Sequence, residues 1–310
     1  MIPYDRRFLG NTSIEYNGEY IAIWNVASPL AEDAETLAAD LAHEMFHAFQ
    51  YENQEKRFPN DLLLLAYPDA EENYKTKHYE NMLLADACLS EDKKDKRAYL
   101  SKFISARKYR EGLVGDIINQ EYLVESIEGI AEYLGCMTLK QISMDKYLAR
   151  TNAYADKLRL LNGDFFDIRR MLYYSGALFC ILLSEAGVDF YHNVNGAELP
   201  LFTCICMCST GEKPDINFDS STLFLEIRSS AYRKQCKLDA FLGIHSKRVD
   251  GEYEICGYDP MNMTKMGNSI LCDNFVILKS ENDAAPVFIK GPLLVNLEKG
   301  SLNRVISYIV

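Results

Sequence analysis

The sequence predicts an α+β fold, in which a mainly helical domain that begins with a small N-terminal sheet is followed by a β-rich C-terminal domain. Its 310 residues are about twice the roughly 150 residues of a typical domain. Apolar residues recur at helical spacing through the first two thirds of the chain. Short strand-like runs separated by Gly, Asn, Asp and Pro follow after about residue 215. We therefore place one domain at residues 1–215 and a second at residues 216–310.

The small sheet is predicted from residues 13–28, where Asn17-Gly18 separates two partly alternating apolar segments. An Asn-Gly pair favours the backbone conformation that a two-residue hairpin turn requires. We expect two antiparallel strands on either side of this turn.

The helices are predicted from apolar spacing. Between residues 32 and 53 such positions follow one another at steps of three and four, and they are Ala34, Leu37, Ala38, Leu41, Ala42, Met45, Phe46 and Phe49. Related patterns predict helices over residues 70–89, 92–109 and 122–139. Another helix is predicted over 168–185 and ends before Gly187, a residue type favoured just past a helix C-terminus. The charged run 91–97 is interpreted as the solvated start of a helix.

The β-rich domain is predicted from five runs, at residues 223–227, 253–257, 270–278, 287–295 and 305–309. Just before it, alternation in Cys204-Ile205-Cys206-Met207-Cys208 predicts a strand with three thiols on one face. We interpret these thiols as buried small side chains rather than as a metal site, because neither a histidine nor a second cysteine pair adjoins them.

Composition and charge exclude several classes of function. A formal charge of −12 argues against nucleic acid as a partner. The apolar runs are shorter than the roughly 18 residues that a membrane helix needs, so no membrane partner is expected. The N-terminal residues do not resemble a secretory signal, and nine cysteines without a repeated framework favour a reducing compartment. We therefore predict a cytoplasmic protein, whose oligomeric state the sequence leaves open.

The motif with the clearest chemistry is His43-Glu44-Met45-Phe46-His47, an H-E-x-x-H sequence inside the predicted helix 32–53. Residues four apart lie one turn apart on the same helix face, so both imidazoles can reach one zinc ion while Glu44 projects towards the water that zinc activates. The alternative is a pair of polar side chains on a surface helix. Flanking apolar residues indicate a largely buried helix, where unpaired polar groups would be costly. The motif thus predicts zinc. His78 and His245 lie in polar sequence and are assigned no role.

A catalytic zinc site takes three protein ligands, so one more is expected. The predicted helix 122–139 and its start offer closely spaced carboxylates, namely Glu121, Glu125, Glu128 and Glu132. The spacing of residues 125, 128 and 132 places them on one helix face, where like charges repel unless a cation neutralises them. Solvent exposure is the competing interpretation for any single glutamate. The spacing does not choose between Glu125 and Glu128.

A resemblance to a known family bears on this choice. The segment Glu128-Gly129-Ile130-Ala131-Glu132-Tyr133 resembles the Glu-Gly-Phe-Ala-x-Tyr stretch that supplies the third zinc ligand in gluzincin metallopeptidases of the aminopeptidase N and leukotriene A4 hydrolase type. The segment Tyr173-Tyr174-Ser175-Gly176 is similar to that family's Tyr-x-x-Gly motif, whose tyrosine hydrogen-bonds the oxyanion. The resemblance covers residues 43–176 and implies a zincin-like catalytic domain. It implies His43, His47 and Glu128 as zinc ligands, Glu44 as general base and Tyr173 as oxyanion donor.

Two departures from the family pattern modify this expectation. Between His47 and Glu128 lie 80 residues, far more than in the family, so an extra helical insertion is expected near the site. The Gly-x-Met-Glu-Asn element that holds a free amino terminus in the family's exopeptidases has no counterpart upstream. Glu19, near the edge strand, is the acid that could replace it. An endopeptidase or oligopeptidase is therefore expected rather than an aminopeptidase.

These features predict a zinc metallopeptidase that acts on a peptide or protein substrate with Zn²⁺ as its cofactor. Glu44 takes a proton from the attacking water and delivers it to the leaving amine, while Tyr173 donates to the oxyanion. Tyr174 and His192 are the substitutes for Tyr173. Glu132 is expected to hydrogen-bond a ligand histidine.

Two other functions remain open at this stage. One is a catalytically silent zincin-like domain that holds structural zinc and binds a protein partner. The other keeps the zinc chemistry but acts on a non-peptide amide or an epoxide. The presence of Glu44 favours the enzyme over the silent domain.

Overall fold

The computed structural model describes residues 8, 10–27, 29–31, 33–194, 196–280 and 285–310, and it has the expected α+β class. Contacts divide the chain into two units. We name Met1–Pro59 with Asp69–Phe218 the helical unit, and Asn60–Pro68 with Asp219–Val310 the sheet unit. The main division thus falls three residues after the boundary expected from the sequence. The sequence did not indicate that residues 60–68 belong with the C-terminal residues.

The helical unit begins with the expected hairpin. Strands β1 (Thr12–Tyr16) and β2 (Glu19–Ile23) pair antiparallel across a turn in which Asn17 and Gly18 have φ of 54° and 85°. Helix α1 (Ala34–Glu52) follows, and the side chain of Asp33 caps it by accepting from the backbone N–H of Glu35. Residue 32, where the sequence placed the start of this helix, lies outside the described residues.

The remaining helices of this unit are α3 (Glu71–Leu89), α4 (Lys93–Val114), α5 (Ile118–Val124), α6 (Ile130–Ile142), α7 (Met144–Arg159), α8 (Ile168–Glu185) and α9 (Leu201–Ile205). The helix predicted over 122–139 is in fact interrupted by a π-helical turn at Glu125–Gly129. Helix α7 was not predicted from the sequence. The strand predicted at Cys204–Cys208 was wrong, because α9 continues through Ile205. Of the three thiols expected to be buried, Cys206 is buried, Cys204 is half-buried and Cys208 is exposed.

The interior of the helical unit combines aromatic packing with a buried ionic network. The rings of Phe103, Phe179 and Phe202 contact one another with centroids 5.6–6.3 Å apart. Beside them lie six buried charged side chains, Lys77, Arg107, Arg110, Glu80, Glu121 and Glu125. Each of these cations contacts a carboxylate within 3.2 Å, which offsets the cost of removing the charges from water.

The prediction that His78 lies in polar surroundings was wrong. Its side chain is buried, and its ring makes edge contacts with Phe165 and Phe218 at 5.8 and 5.2 Å. His78 therefore lies on the buried face of α3. The many charged residues of this helix make that face hard to recognise from the sequence.

The sheet unit contains helices α2 (Asp61–Leu64) and α10 (Ser221–Leu242). Its strands are β3 (Arg248–Tyr258), β4 (Met263–Met266), β5 (Ser269–Cys272), β6 (Phe275–Ser280), β7 (Val287–Lys290), β8 (Leu293–Leu297) and β9 (Arg304–Ile309). They form one antiparallel sheet in the order β4-β5-β8-β9-β3-β6-β7. Leu62 of α2 packs on one set of core residues, and Phe241 of α10 packs against Leu271 and Leu294.

Three of the strand predictions were imprecise or wrong. Residues 223–227 belong to α10, because this short apolar run is continued by a long helix-forming segment. Residues 270–278 and 287–295 each contain two strands rather than one. Among the described residues, no helix combines the length and the apolarity that crossing a bilayer would need.

Candidate metal centre

Helix α1 presents both histidines of the H-E-x-x-H motif on one face. The Nε2 atoms of His43 and His47 lie 3.1 Å apart, and the two side chains are 11% and 13% exposed. The local apolar pattern of α1 explains this arrangement, because it buries the face that packs on α6 and leaves the imidazoles at its edge.

The third group of the cluster is Glu128, from the π-helical turn between α5 and α6. Its Oε2 atom lies 3.1 Å from Nε2 of His47 and 3.6 Å from Nε2 of His43. Zinc bonds of about 2.0–2.1 Å in tetrahedral geometry place ligand atoms about 3.3 Å apart. The three edges of the observed triangle, 3.1, 3.1 and 3.6 Å, bracket that distance. Among the described residues, His43, His47 and Glu128 are the group of His, Cys, Asp or Glu side chains whose ligand atoms lie close enough together to hold one metal ion.

Glu125, the alternative ligand, lies elsewhere. Its two carboxylate oxygens accept from Arg107 at 2.6 and 3.0 Å, and it also accepts from the hydroxyl of Ser175. The expectation that Glu125 and Glu128 share a face was wrong, because each residue in a π-helical turn rotates less about the axis than in an α-helix. Residues three apart therefore point in different directions here.

The other nitrogen of each imidazole has its own acceptor. Nδ1 of His43 lies 2.9 Å from Oε2 of Glu132, and Nδ1 of His47 lies 2.8 Å from Oε1 of Gln50. Because a carboxylate and an amide oxygen can only accept, both Nδ1 atoms carry the hydrogen. When the imidazoles are neutral, both Nε2 lone pairs are thereby directed at the space beside Glu128, which is the arrangement that metal-ligating histidines show.

Glu132 was expected beside a ligand histidine, but Gln50 was missed. Gln50 follows His47 by three residues on α1, and this spacing was the available signal. Its amide nitrogen donates to the carbonyl of Ile127 at 3.3 Å, so Gln50 also connects α1 with the turn that carries Glu128.

Glu132 is itself held by further side chains. It accepts a hydrogen bond from the hydroxyl of Tyr154 and lies 3.7 Å from a guanidinium nitrogen of Arg150. Arg150 also donates to Asp40 at 2.8 Å. The carboxylate that orients His43 is therefore fixed from α7 as well as from α6.

Glu44 lies half-buried next to the two histidines. Burial raises the pKa of its carboxyl, and the charges of His43 and His47 only partly oppose this effect. Its backbone carbonyl accepts a hydrogen bond from the Ser13 hydroxyl, which ties the N-terminal hairpin to this turn of α1. A carboxyl with a raised pKa is suited to taking and returning a proton.

Tyr173 lies close to the cluster, as expected, and its two substitutes do not. The Tyr173 ring is stacked against His43 with centroids 6.2 Å apart, and its hydroxyl accepts a hydrogen bond from Arg169. Tyr174 instead stacks on Tyr154 at 4.8 Å. The side chain of His192 is 91% exposed, and Asp189 lies beside it.

The charges of the cluster are strongly coupled in the metal-free state. Burial acts to lower the pKa of His43, but hydrogen bonds to Glu128 and Glu132 outweigh it and raise this pKa to about 10. Burial acts to raise the pKa of Glu128, yet its hydrogen bonds to His43 and His47 hold it well below its ordinary value. The carboxylates thus stabilise a positive charge between them, which a divalent cation could supply in place of the proton.

A pair of imidazoles and a carboxylate, converging with Nδ1 atoms already occupied, is a donor set that zinc sites use. The adjacent Glu44 and Tyr173 add an acid–base group and a hydrogen-bond donor. No protein-family model, curated protein or solved structure matches the chain.

Proposed function

We propose that this chain is a zinc-dependent peptide hydrolase, a divergent gluzincin-like metallopeptidase with a zincin-like helical unit. The observation that carries the proposal is the triangle formed by Nε2 of His43, Nε2 of His47 and Oε2 of Glu128. Its edges suit tetrahedral zinc, and its donor set of two histidines and one glutamate is used by catalytic zinc sites that keep a fourth position open.

Zinc, Glu44 and Tyr173 would each have a separate role in hydrolysis of the peptide bond. Zinc, when bound, supplies a Lewis acid that polarises a carbonyl oxygen and lowers the pKa of water. Glu44 takes a proton from the attacking water and passes it to the amine that leaves. Tyr173, whose ring stacks on His43, donates its hydroxyl hydrogen to the oxygen on which negative charge develops.

The carboxyl of Glu44 favours an enzyme over a silent binding domain. A structural zinc site closes its coordination and does not require an acid–base group beside the metal. Here burial raises the pKa of Glu44, which brings it closer to neutral pH, where proton transfer in both directions is efficient. We further propose peptide or protein amides as substrates, and a reducing, cytoplasmic compartment, which the nine free thiols support.

The decisive experiment combines metal analysis with a cleavage screen of mixed peptide libraries. Wild type and Glu44→Gln should each hold about one zinc ion per chain, and the wild type alone should cleave. Glu128→Ala should lose the metal, because one of three ligand atoms is removed. Stoichiometric zinc without cleavage by the wild type would remove the hydrolase and leave the protein-binding domain as the function. A wild type without zinc would remove both.

A further inference from the structure

Arg169 connects two groups that the proposed chemistry uses separately. One of its guanidinium nitrogens, Nη2, lies 3.0 Å from Oε1 of Glu128, and the other, Nη1, donates to the Tyr173 hydroxyl. The guanidinium carbon is 5.4 Å from the centroid of the Tyr173 ring. The Arg169 and Glu128 side chains are each only 12% exposed, so the contact is largely removed from water.

A positive charge at the position of Arg169 is energetically unfavourable unless the contacts with Glu128 and Tyr173 offset the cost. It lies in the first turn of α8, where the helix dipole disfavours a positive charge, and it is largely desolvated. Residues 169 and 173 are four apart and share a face of α8, so the guanidinium reaches the phenol without distortion. A planar fork is needed to serve an oxygen of Glu128 and the oxygen of Tyr173 together, and lysine has none.

We propose that Arg169 is a positioning residue that fixes Glu128 as a one-oxygen zinc ligand and orients the hydroxyl of Tyr173. This inference rests on the proposed function. With Oε1 engaged by Arg169, Oε2 is the oxygen that faces the two Nε2 atoms. With the phenol oxygen accepting from Arg169, the phenol hydrogen is the group with which Tyr173 donates, and in the metal-free chain it donates to the Glu128 carboxylate.

The proposal is tested by whether a substitution of Arg169 weakens or tightens zinc binding. An arginine near Zn²⁺ repels it, so a bystander cation predicts that Arg169→Met tightens zinc binding. Loss of a group that orients a metal ligand typically weakens affinity about 10- to 100-fold. We expect weakening of that size, measured on purified full-length protein by competition with a chelator. Tighter or unchanged binding would overturn the proposal.

Two further variants separate charge from geometry. Arg169→Lys keeps the charge but not the fork, and we expect it to lose most of the affinity that Arg169→Met loses. Arg170→Met is the matched control, because the neighbouring Arg170 is 47% exposed and pairs with Asp167 at 2.9 Å. It should bind zinc like the wild type. Wild-type affinity in Arg169→Lys would contradict the positioning role, and if Arg169→Met does not fold, Arg169→Gln provides the same comparison.

The Tyr173 half of the proposal is tested by kinetics on the zinc-loaded enzyme. Arg169→Met should lower kcat with little change in KM, because the orientation of the hydroxyl matters as charge develops. Tyr173→Phe should then add little in the Arg169→Met background, since both changes remove the same hydrogen bond. Fully additive losses would overturn this coupling. A wild type that binds no zinc would instead refute the proposed function.

Discussion

Gly129 and Gly176 touch where the π-helical turn crosses α8. A Cβ atom added to Gly129 would lie 2.6 Å from Cα of Gly176, and one added to Gly176 would lie 2.7 Å from Cα of Gly129. Each glycine stands beside a residue of the metal centre, since Glu128 precedes Gly129 and Tyr173 lies one turn before Gly176. The crossing of two glycine backbones therefore sets the separation between Glu128, the proposed third ligand, and Tyr173, the proposed oxyanion donor.

Gly129→Ala should disturb both stability and the metal centre. No real Cβ contact is as short as 2.6 Å, and the atoms it would meet are backbone, so the two segments must separate. Overpacking of this kind costs about 1–3 kcal/mol of the free energy of unfolding, and separation moves Glu128 away from its partners. We expect a lower Tm of the metal-free protein together with weaker zinc binding, measured by thermal unfolding and chelator competition.

The control is Gly112→Ala. Gly112 is an exposed residue of α4, and nothing lies within 4 Å of an added Cβ atom. Alanine in a helix is more favourable than glycine by up to about 1 kcal/mol, so this variant should be as stable as the wild type or slightly more so. Wild-type stability and zinc affinity in Gly129→Ala would show that the close crossing is not required.

The elements with strong local signals were predicted from the sequence. The hairpin turn needs positive φ at two residues, which Asn17-Gly18 supplies, and α8 coincides with the predicted range 168–185. His43 and His47 share a face because helical geometry alone places residues four apart together. These features depend on residues that are close together in the chain, so the local sequence is sufficient to predict them.

Other features depend on contacts between distant segments, and the sequence did not predict them. The π-helical turn separates the directions of Glu125 and Glu128, and the partner that Glu125 finds is Arg107, on a different helix. The role of Gln50 depends on Ile127, 77 residues away in the chain. Short apolar runs such as 223–227 fit a strand or a helix equally until the packing is known.

Gln50→Ala should weaken zinc binding. It removes the acceptor at 2.8 Å from Nδ1 of His47, so that imidazole loses the contact that fixes its orientation. Such losses cost about 10- to 100-fold in metal affinity, and chelator competition measures them directly. Gln50→Glu keeps an acceptor for Nδ1 of His47 but loses the donor to the carbonyl of Ile127, so its zinc affinity should lie between those of Gln50→Ala and the wild type. Glu52→Ala, at an exposed position of the same helix, is the control, and equal zinc binding in Gln50→Ala would contradict the assigned role.

Glu125→Gln should destabilise the fold while leaving the zinc ligands in place. The Arg107 guanidinium is fully buried and donates two of its hydrogen bonds to the Glu125 carboxylate, at 2.6 and 3.0 Å. Breaking a buried pair by removing one charge costs about 3–5 kcal/mol. Urea unfolding of the metal-free protein should show a loss near the lower end of this range, because Glu80 still contacts Arg107 at 3.2 Å.

The matched control for that change is Glu185→Gln. The pair between Glu185 and Lys96 is 35% and 21% exposed, so its loss should cost about 1 kcal/mol or less. Zinc affinity of folded Glu125→Gln should stay within a few fold of the wild type. If zinc binding were lost while stability was kept, Glu125 and not Glu128 would be the third ligand.

The free energy of unfolding should fall in mild acid because of His78. Burial lowers the pKa of His78 to about 4 in the folded chain, whereas an unfolded histidine has its ordinary value of 6.5. Between these values the unfolded state binds more protons than the folded state, so stability rises with pH from 4 to 6.5 and is lost as pH falls. A shift of this size corresponds to at most about 3 kcal/mol.

His78→Phe isolates this contribution. Phenylalanine keeps the ring between Phe165 and Phe218 and removes an Nδ1 atom that has no hydrogen-bond partner among the described residues. Urea unfolding of both proteins at a series of pH values should show a difference in stability that grows in favour of the variant as pH falls from 6.5 to 4. Other titrating groups, including those of the metal centre, are common to both proteins and cancel in that difference. A difference independent of pH would mean that the folded chain accommodates a proton on His78, and its burial would then not be the source of acid sensitivity.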